Sequence, residues 1–306
     1  MDFAIMIEGQ NGLTWPRWQA IAHAVEELGF AGLYRSDHFT NANPPDRASL
    51  ELWTSLTWLA SHTARIEFGP LVSPVSFRHP VFTARMAKDV DDLSARDRGG
   101  RLILGVGAGW QQREHDKFHF DLLDLPARFD RFEEGLEVIS RLLQSDEPVS
   151  YAGSYFALSD AVLLPRPQRP GGPPILIGGN GPKRTLPLTA RFAQEWNALF
   201  VPPKQFAELS AHLDDLLIAE GRQPSDVRRS LMTGCYFGRT EAEVQKRLDG
   251  RDGDALRERG IVVGTAAQVA DQAAALADAG VERLMLQWLD LDDLEGLAAL
   301  AEGLGM

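Results

Sequence analysis

The stretch GLYRSDHFTN, residues 32–41, changes abruptly from apolar to polar. Asp37 and His38 follow directly after a short run with the character of a buried strand. An imidazole beside a carboxylate is suited to moving protons, because imidazole titrates near neutral pH. The same two residues also fit an ordinary hydrogen-bonded pair at the end of a strand. The spacing therefore predicts a site for proton transfer or ligand binding, or a polar strand end without chemistry.

Two glycine-rich stretches also follow predicted strands: LGVGAGW, residues 104–110, and ILIGGNGPK, residues 175–183. Glycines at such positions allow a ligand to approach the backbone closely. In the second stretch, backbone N–H groups of residues 179–181 and of the helix that follows predict a phosphate-binding turn, although a plain turn has the same composition. The first stretch is not a dinucleotide fingerprint, because Trp110 stands where GxGxxG requires glycine.

Two other features could carry chemistry, and for each the sequence favours a structural interpretation. His115 and His119 have the i, i+4 spacing of metal ligands on a helix, but no HExxH pattern or paired carboxylates accompany them. A solvated helical face is the better interpretation, and no metal site is predicted. Cys235 lies within an apolar run and is predicted to be inert core.

These residues must be positioned by an alternation of short apolar strands and amphipathic helices. The strands are predicted at residues 3–8, 32–36, 66–73, 101–107, 175–178, 195–200, 230–238 and 283–288. Helical patterns separate them, for example at residues 50–62, 81–93 and 129–143, and residues 265 and 268 form a possible capping box. Eight such units in one chain predict an α/β fold, a (β/α)8 TIM barrel, whose active site lies at the C-terminal ends of the strands.

Two segments depart from this alternation. Residues 145–174 contain several aromatic residues and prolines and predict an inserted loop or hairpin. Residues 239–263 are charged and rich in glycine, which indicates an irregular, mobile lid. We expect one domain covering residues 1–306, with these two segments as insertions.

The composition excludes several classes of partner. The formal net charge is −12, and no basic patch interrupts it, so neither nucleic acid nor a membrane surface is an expected partner. A single cysteine fits a reducing compartment. The start of the sequence lacks the pattern of a signal peptide, and no apolar run reaches the length of a membrane span. We expect a cytoplasmic protein.

Several motifs, in order and spacing, resemble the bacterial luciferase-like monooxygenase superfamily. They are SDHF, SPVSFRHP, GGRLILGVGAGW, RFDRFEEGLEVI, PPILIGGNGPK and GTAAQVADQAAALADAGVERLML. The resemblance is strongest to the branch that depends on coenzyme F420, a deazaflavin that carries hydride. The FMN-dependent branch shares the fold and much of the pattern.

The resemblance implies roles for individual residues. His38 and Asp37 would line the reactive face of the deazaflavin, with His38 exchanging a proton and Asp37 tuning it. A non-prolyl cis peptide at Leu71–Val72, followed by Ser73, would lie against the other face of the ring. Cofactor contacts are also implied for Val106 and Gly107, and phosphate contacts for Gly178, Gly179 and Asn180.

Departures from the family pattern restrict the class of substrate that the resemblance implies. Sugar-phosphate dehydrogenases of the family carry a glutamate where this sequence has Trp110, which cannot transfer protons. The resemblance therefore implies an apolar or aromatic small-molecule substrate beside Trp110, with Glu8 as an alternative carboxylate from the first strand.

The leading hypothesis is an F420-dependent oxidoreductase that is a homodimer, as relatives often are. One alternative is an FMN-dependent monooxygenase supplied by a flavin reductase. The other is a non-catalytic protein that binds a flavin or deazaflavin.

Overall fold

The computed structural model describes residues 1–96 and 99–306 of the chain. Strands and helices alternate along the sequence. The strands are β1 (Asp2–Ile7), β2 (Gly32–Arg35), β3 (Glu67–Pro70), β4 (Ser73–Pro74), β5 (Leu104–Gly107), β6 (Val149–Ala152), β7 (Ala157–Ala161), β8 (Ile175–Gly178), β9 (Glu195–Leu199), β10 (Arg228–Phe237), β11 (Val262–Gly264) and β12 (Arg283–Gln287). The α-helices are α1 (Trp15–Glu27), α2 (Leu52–His62), α3 (Pro80–Ser94), α4 (Gln112–Phe118), α5 (Leu125–Gln144), α6 (Thr185–Phe192), α7 (Pro203–Ala219), α8 (Glu241–Leu248), α9 (Gly253–Glu258), α10 (Ala266–Asp278) and α11 (Leu294–Gly303).

The strand order confirms the predicted fold class. Hydrogen-bonded neighbours follow the order β3-β2-β1-β12-β10-β9-β8-β5-β4. A parallel bridge between Phe68 of β3 and Leu102, just before β5, joins the two ends of the series of eight main strands within the described residues. Parallel strands connected through helices in this cyclic order define a (β/α)8 barrel. Each of the eight predicted strands overlaps a strand of this series, although predicted strands 66–73 and 101–107 are longer than β3 and β5.

The chain divides into two compact units, of which the first comprises Met1–Glu8, Trp15–Tyr34 and Gly178–Met306. Its strands pair in parallel, with Ala4 opposite Met285 and Met285 opposite Met232. The helices cover these strands with apolar faces, and Trp196 stacks on Phe206 of α7 at 5.3 Å between ring centroids. Helix α10 begins as predicted, because Gln268 Oε1 accepts a hydrogen bond from the Thr265 N–H at 2.8 Å.

The second unit comprises Gly9–Thr14 and Arg35–Ile177. Strand β5 pairs in parallel with β8 and with β4. Helices α2, α3 and α5 pack in succession beside these strands. Within residues 145–174, strands β6 and β7 form an antiparallel hairpin. Glu134 of α5 fastens the hairpin turn by accepting the backbone N–H groups of Ser154 and Tyr155. A single domain over residues 1–306 stays a prediction.

The expectation of irregular structure at residues 239–263 is wrong. The segment contains α8, α9 and β11, and β11 pairs in parallel with the end of β10. Val244, Leu248, Leu256 and Val263 form a small apolar core of their own. The many charged residues made the apolar pattern hard to recognise in the sequence. The packing of these four apolar side chains against one another stabilises the segment.

In the part of the chain that the structure describes, no helix combines the length and the apolar character needed to span a membrane.

Candidate functional site

The imidazole of His38 is held by a buried carboxylate that the sequence analysis did not identify. His38 Nδ1 lies 2.8 Å from Glu114 Oε1, and the other oxygen of Glu114 accepts the backbone N–H of Phe39 at 3.0 Å. The side chain of Glu114 is 1% exposed, and that of His38 is 16% exposed. Because a carboxylate only accepts hydrogen bonds, this contact places the proton of neutral imidazole on Nδ1 and the lone pair on Nε2.

Glu114 is positioned by the way α4 is fastened to the loop that follows β2. The amide of Gln111, at the start of α4, donates to the carbonyl of Thr40 at 2.9 Å. Arg113 donates to Asp46 at 2.6 Å and to the carbonyl of Asn41 at 2.7 Å. These contacts set the first turn of α4 beside His38, so that Glu114 meets the imidazole directly.

Asp37 does not orient His38, which corrects the predicted pairing. Its carboxylate accepts hydrogen bonds from the hydroxyl of Ser73 at 3.1 Å and from both terminal nitrogens of Arg78. Arg78 also donates to Glu51 at 2.8 Å. Burial lowers the pKa of Arg78, but the two carboxylates outweigh burial and raise it above its usual value. Asp37 therefore ties the end of β2 to the segment after β3, and Ser73 belongs to this contact.

The segment after β3 has the backbone feature that the resemblance implies. The Leu71–Val72 peptide is cis although residue 72 is not proline. Strand β5 runs so close to Val72 that a Cβ on Gly107 would lie 2.6 Å from its Cγ2. The side chain of Val106 is fully buried. A larger residue at position 107 would therefore force the Val72 side chain to move, whether or not a ligand also contacts Gly107.

Trp110 lies beside the imidazole of His38, at the C-terminal end of β5. The two rings meet edge to face, with centroids 5.6 Å apart. The Trp110 side chain is 64% exposed, which leaves most of the indole available to a ligand. Phe39, Phe77 and Phe118 form an aromatic cluster in the same unit. An apolar or aromatic substrate beside Trp110 stays a prediction.

The glycine-rich turn after β8 is built differently from the prediction. The N–H of Gly179 is not available to a phosphate, because it donates to the carbonyl of Asn197 at 2.9 Å. The Asn180 side chain is also occupied, since it exchanges two hydrogen bonds with the backbone of Leu199. Within residues 1–96 and 99–306, no acceptor is recorded for the backbone N–H groups of Asn180 and Gly181. Of the three backbone N–H groups predicted at residues 179–181, those of Asn180 and Gly181 remain available, and phosphate binding by them stays a prediction.

Glu8 follows β1 directly, as predicted, and its carboxylate is engaged within its own unit. Glu8 Oε1 accepts a hydrogen bond from Gln287 Nε2 at 2.7 Å. Gln287 is the last residue of β12, so this contact ties together the C-terminal ends of two adjacent strands. Glu8 is thus a structural partner of Gln287 in the first unit, and a role in proton transfer stays a prediction.

The histidines considered as metal ligands have other roles. His115 is buried, and its ring nitrogens lie 2.7 Å from the carbonyl of Gln111 and 2.8 Å from the hydroxyl of Ser76. The prediction of a solvated face is therefore wrong for His115. His119 ends α4 in a left-handed conformation. Among the described residues, no cluster of His, Cys, Asp or Glu is suited to a metal ion. Burial raises the pKa of Cys235 to about 12, which agrees with an unreactive thiol.

The chain belongs to the luciferase-like monooxygenase family, whose model matches residues 1–253. A 4-hydroxyprotoasukamycin monooxygenase from Streptomyces nodosus subsp. asukaensis is 31% identical over 205 residues, which cover 67% of this chain and 52% of that protein. An F420-dependent glucose-6-phosphate dehydrogenase from Microbacterium testaceum (strain StLB037) is 31% identical over 208 residues, which cover 66% of this chain and 58% of that protein. The chain thus spans little more than half the length of these curated relatives.

The fold also matches solved structures over nearly the whole chain. An F420-dependent secondary alcohol dehydrogenase, solved with an F420–acetone adduct, superimposes with a TM-score of 0.82 and 19% sequence identity. The superposition covers 99% of both chains. This likeness shows the (β/α)8 fold.

Proposed function

We propose that the protein is an oxidoreductase that transfers hydride between coenzyme F420 and a small organic substrate. The observation that carries this proposal is the contact between His38 and the buried carboxylate of Glu114. It gives a partly exposed imidazole a fixed tautomer at the C-terminal end of a barrel strand, where barrel enzymes carry out their chemistry. Several relatives that bear F420 in their names support the choice of cofactor.

The proposal assigns cofactor-binding residues within each unit, considered separately. In the first unit, the N–H groups of Asn180 and Gly181 provide donors for a phosphate, and Gly178 and Gly179 shape the turn that presents them. In the second unit, Leu71, Val72 and Ser73, together with Val106 and Gly107, form the backbone surface proposed to contact the deazaflavin. When bound, the deazaflavin supplies a carbon atom that accepts or releases hydride.

The chain supplies proton transfer and orientation. Glu114 holds Nδ1 of His38, so Nε2 is the atom that takes a proton from a substrate hydroxyl or returns one to a carbonyl oxygen. During that transfer the imidazole becomes positively charged, and the Glu114 carboxylate stabilises this charge at 2.8 Å. Asp37 contributes indirectly, by fixing the segment that contains Ser73. Trp110 is proposed to form an apolar wall for the substrate.

A second candidate is an FMN-dependent monooxygenase that receives reduced flavin from a separate reductase. The monooxygenase among the relatives at 31% identity favours it. The same residues would bind the flavin, because both cofactors carry a tricyclic ring and a ribityl phosphate. A non-catalytic flavin- or deazaflavin-binding protein and a homodimeric assembly remain further proposals.

Direct titration with both cofactors tests the proposal. We expect F420 to quench the intrinsic tryptophan fluorescence at lower concentration than FMN, with at least a tenfold difference in dissociation constant. Riboflavin, which lacks the phosphate, is the control and should bind more weakly than FMN. A preference for FMN over F420 would contradict the proposed cofactor and support the monooxygenase.

A further inference from the structure

A cavity of about 420 Å³ lies in the first unit, at the C-terminal ends of β10 and β12. Its volume falls within the range of small-molecule sites, about 300–1,000 Å³. Phe200, Ile261 and Leu289 give it an apolar lining, and Phe200 and Leu289 are 41% and 47% exposed. Its location is the end of the strands at which barrel enzymes bind their substrates.

The cavity is lined by an exposed arginine that forms no ion pair with the described residues. Arg251 lines it, and its recorded contacts are the carbonyl of Leu248 at 3.3 Å and the ring of Tyr236, 5.8 Å from the guanidinium carbon to the ring centroid. Among the described residues, Arg251 has no ion-pair partner. Among the described residues that line the cavity, Asp290 supplies the one carboxylate, and it is not within ion-pair distance of Arg251.

The other polar groups of the lining do not oppose an anion. Arg247 is paired with Asp293 and lies over the ring of Trp288 at 5.5 Å. The indole N–H of Trp288 is buried and, among the described residues, has no acceptor. Cys235 stays neutral, because burial raises its pKa to about 12. The cavity therefore combines hydrogen-bond donors with apolar and aromatic faces.

We infer that this cavity binds a small organic acid with an aromatic or apolar body, whose carboxylate pairs with Arg251. A guanidinium matches a carboxylate geometrically through two parallel hydrogen bonds, and the ring of Phe200 with the side chains of Ile261 and Leu289 covers the body. Binding of such an acid follows from the cavity itself. Its assignment as the substrate class rests on the proposed function.

Calorimetric titration of the cofactor-free protein with two probes tests the inference. The probes are 3-phenylpropionate and its neutral amide, 3-phenylpropionamide, which have the same shape but differ in charge. We expect the acid to bind at least tenfold more tightly than the amide. The variant Arg251→Gln should reduce the affinity for the acid by at least tenfold and remove the preference over the amide. Because no cofactor or turnover is involved, this result is independent of the test of the proposed function.

Arg259→Gln is the matched control, because Arg259 is a nearby exposed arginine that lies outside the recorded lining of this cavity. It should retain the affinity of the unmodified protein for 3-phenylpropionate. Unfolding temperatures of both variants verify that they are folded. Equal binding of acid and amide, equal losses in the two variants, or no binding of the acid to the unmodified protein would overturn the inference.

Discussion

The two ends of the barrel strands use charged residues in different ways. At the amino-terminal ends, charges are enclosed by protein: Arg283, the first residue of β12, is 1% exposed and lies 3.0 Å from Glu195, the first residue of β9. At the carboxyl-terminal ends, the carboxylate of Glu114 is equally buried, but its partner His38 is partly exposed. Of these two pairs, Arg283–Glu195 is enclosed on both sides, whereas His38–Glu114 leaves a titratable imidazole within reach of a ligand.

Arg101, just before β5, extends the comparison. Its guanidinium donates to the hydroxyl of Thr63 and to the carbonyls of Ala60, Thr63, Ile66 and Ser94, at distances of 2.8–3.0 Å. Because its N–H groups donate to these carbonyls and to Thr63, the Arg101 guanidinium holds neighbouring segments together and has no N–H group available to bind a ligand. The amino-terminal ends therefore contribute to stability, and the carboxyl-terminal ends contribute the site.

The largest expected effect on stability comes from breaking the buried pair at the amino-terminal ends. Arg283→Met removes the buried partner of the Glu195 carboxylate, so we expect the free energy of unfolding in urea to fall by about 3–5 kcal/mol. Arg228→Gln is the matched control, because Arg228 lies 4.0 Å from the same carboxylate but is 39% exposed. It should change stability by less than about 1 kcal/mol. Equal losses in the two variants would remove the distinction between buried and exposed partners.

A second prediction concerns the dependence of stability on pH through Asp91. Burial raises the pKa of this carboxyl to about 6, against the opposing effect of Arg169. The native state therefore holds the proton more tightly than the unfolded state, whose pKa is near 3.8. The contribution of Asp91 to stability is largest below pH 4 and decreases as the pH rises to about 6, by up to about 3 kcal/mol.

Urea unfolding of the unmodified protein and of Asp91→Asn between pH 4 and pH 7 measures this contribution. Because asparagine does not titrate, the stability difference, unmodified minus variant, should become less favourable as the pH rises. A difference that is constant or becomes more favourable over this range contradicts the assignment.

A smaller effect is expected at the carboxyl-terminal end of β8. In Gly181→Val, the Cβ would lie 2.9 Å from Thr185 Oγ1, and the branched side chain would crowd the two available N–H groups. We expect the affinity for F420 to fall by about tenfold, which corresponds to about 1.4 kcal/mol. Gly181→Ala should give a smaller loss. Unchanged affinity in a folded Gly181→Val variant would exclude this turn as the phosphate site.

Much of the fold could be predicted from the sequence, because each barrel unit repeats a local pattern. The strands are short apolar runs, and the helices carry apolar residues at helical spacing, so their identity does not depend on distant contacts. The prediction of irregular structure at residues 239–263 was wrong because charged residues outnumber the four apolar positions there. Their packing against one another, which determines its helices, is visible only in three dimensions.

The site could be predicted only in part. His38 was identified because it follows a strand, but its partner was not, since Glu114 is 76 residues away in the chain. Asp37 was preferred because it is adjacent in sequence. Neighbouring side chains of an extended segment point to opposite sides, so Asp37 reaches Ser73 and Arg78 while His38 reaches α4. The signal that was missed is a glutamate in the first turn of a helix that begins just after a strand end.

The central claim, that Glu114 and not Asp37 sets the chemistry of His38, is tested by the pH–rate profile of single-turnover hydride transfer at saturating F420. We expect His38→Ala to slow this step by about 10²–10⁴-fold. Glu114→Gln should slow it as well and alter the shape of the profile, because the amide can hold Nδ1 but cannot stabilise the charged ring. Asp37→Asn should leave the shape unchanged. A profile altered by Asp37→Asn and preserved in Glu114→Gln, or a normal rate in His38→Ala, would contradict the account.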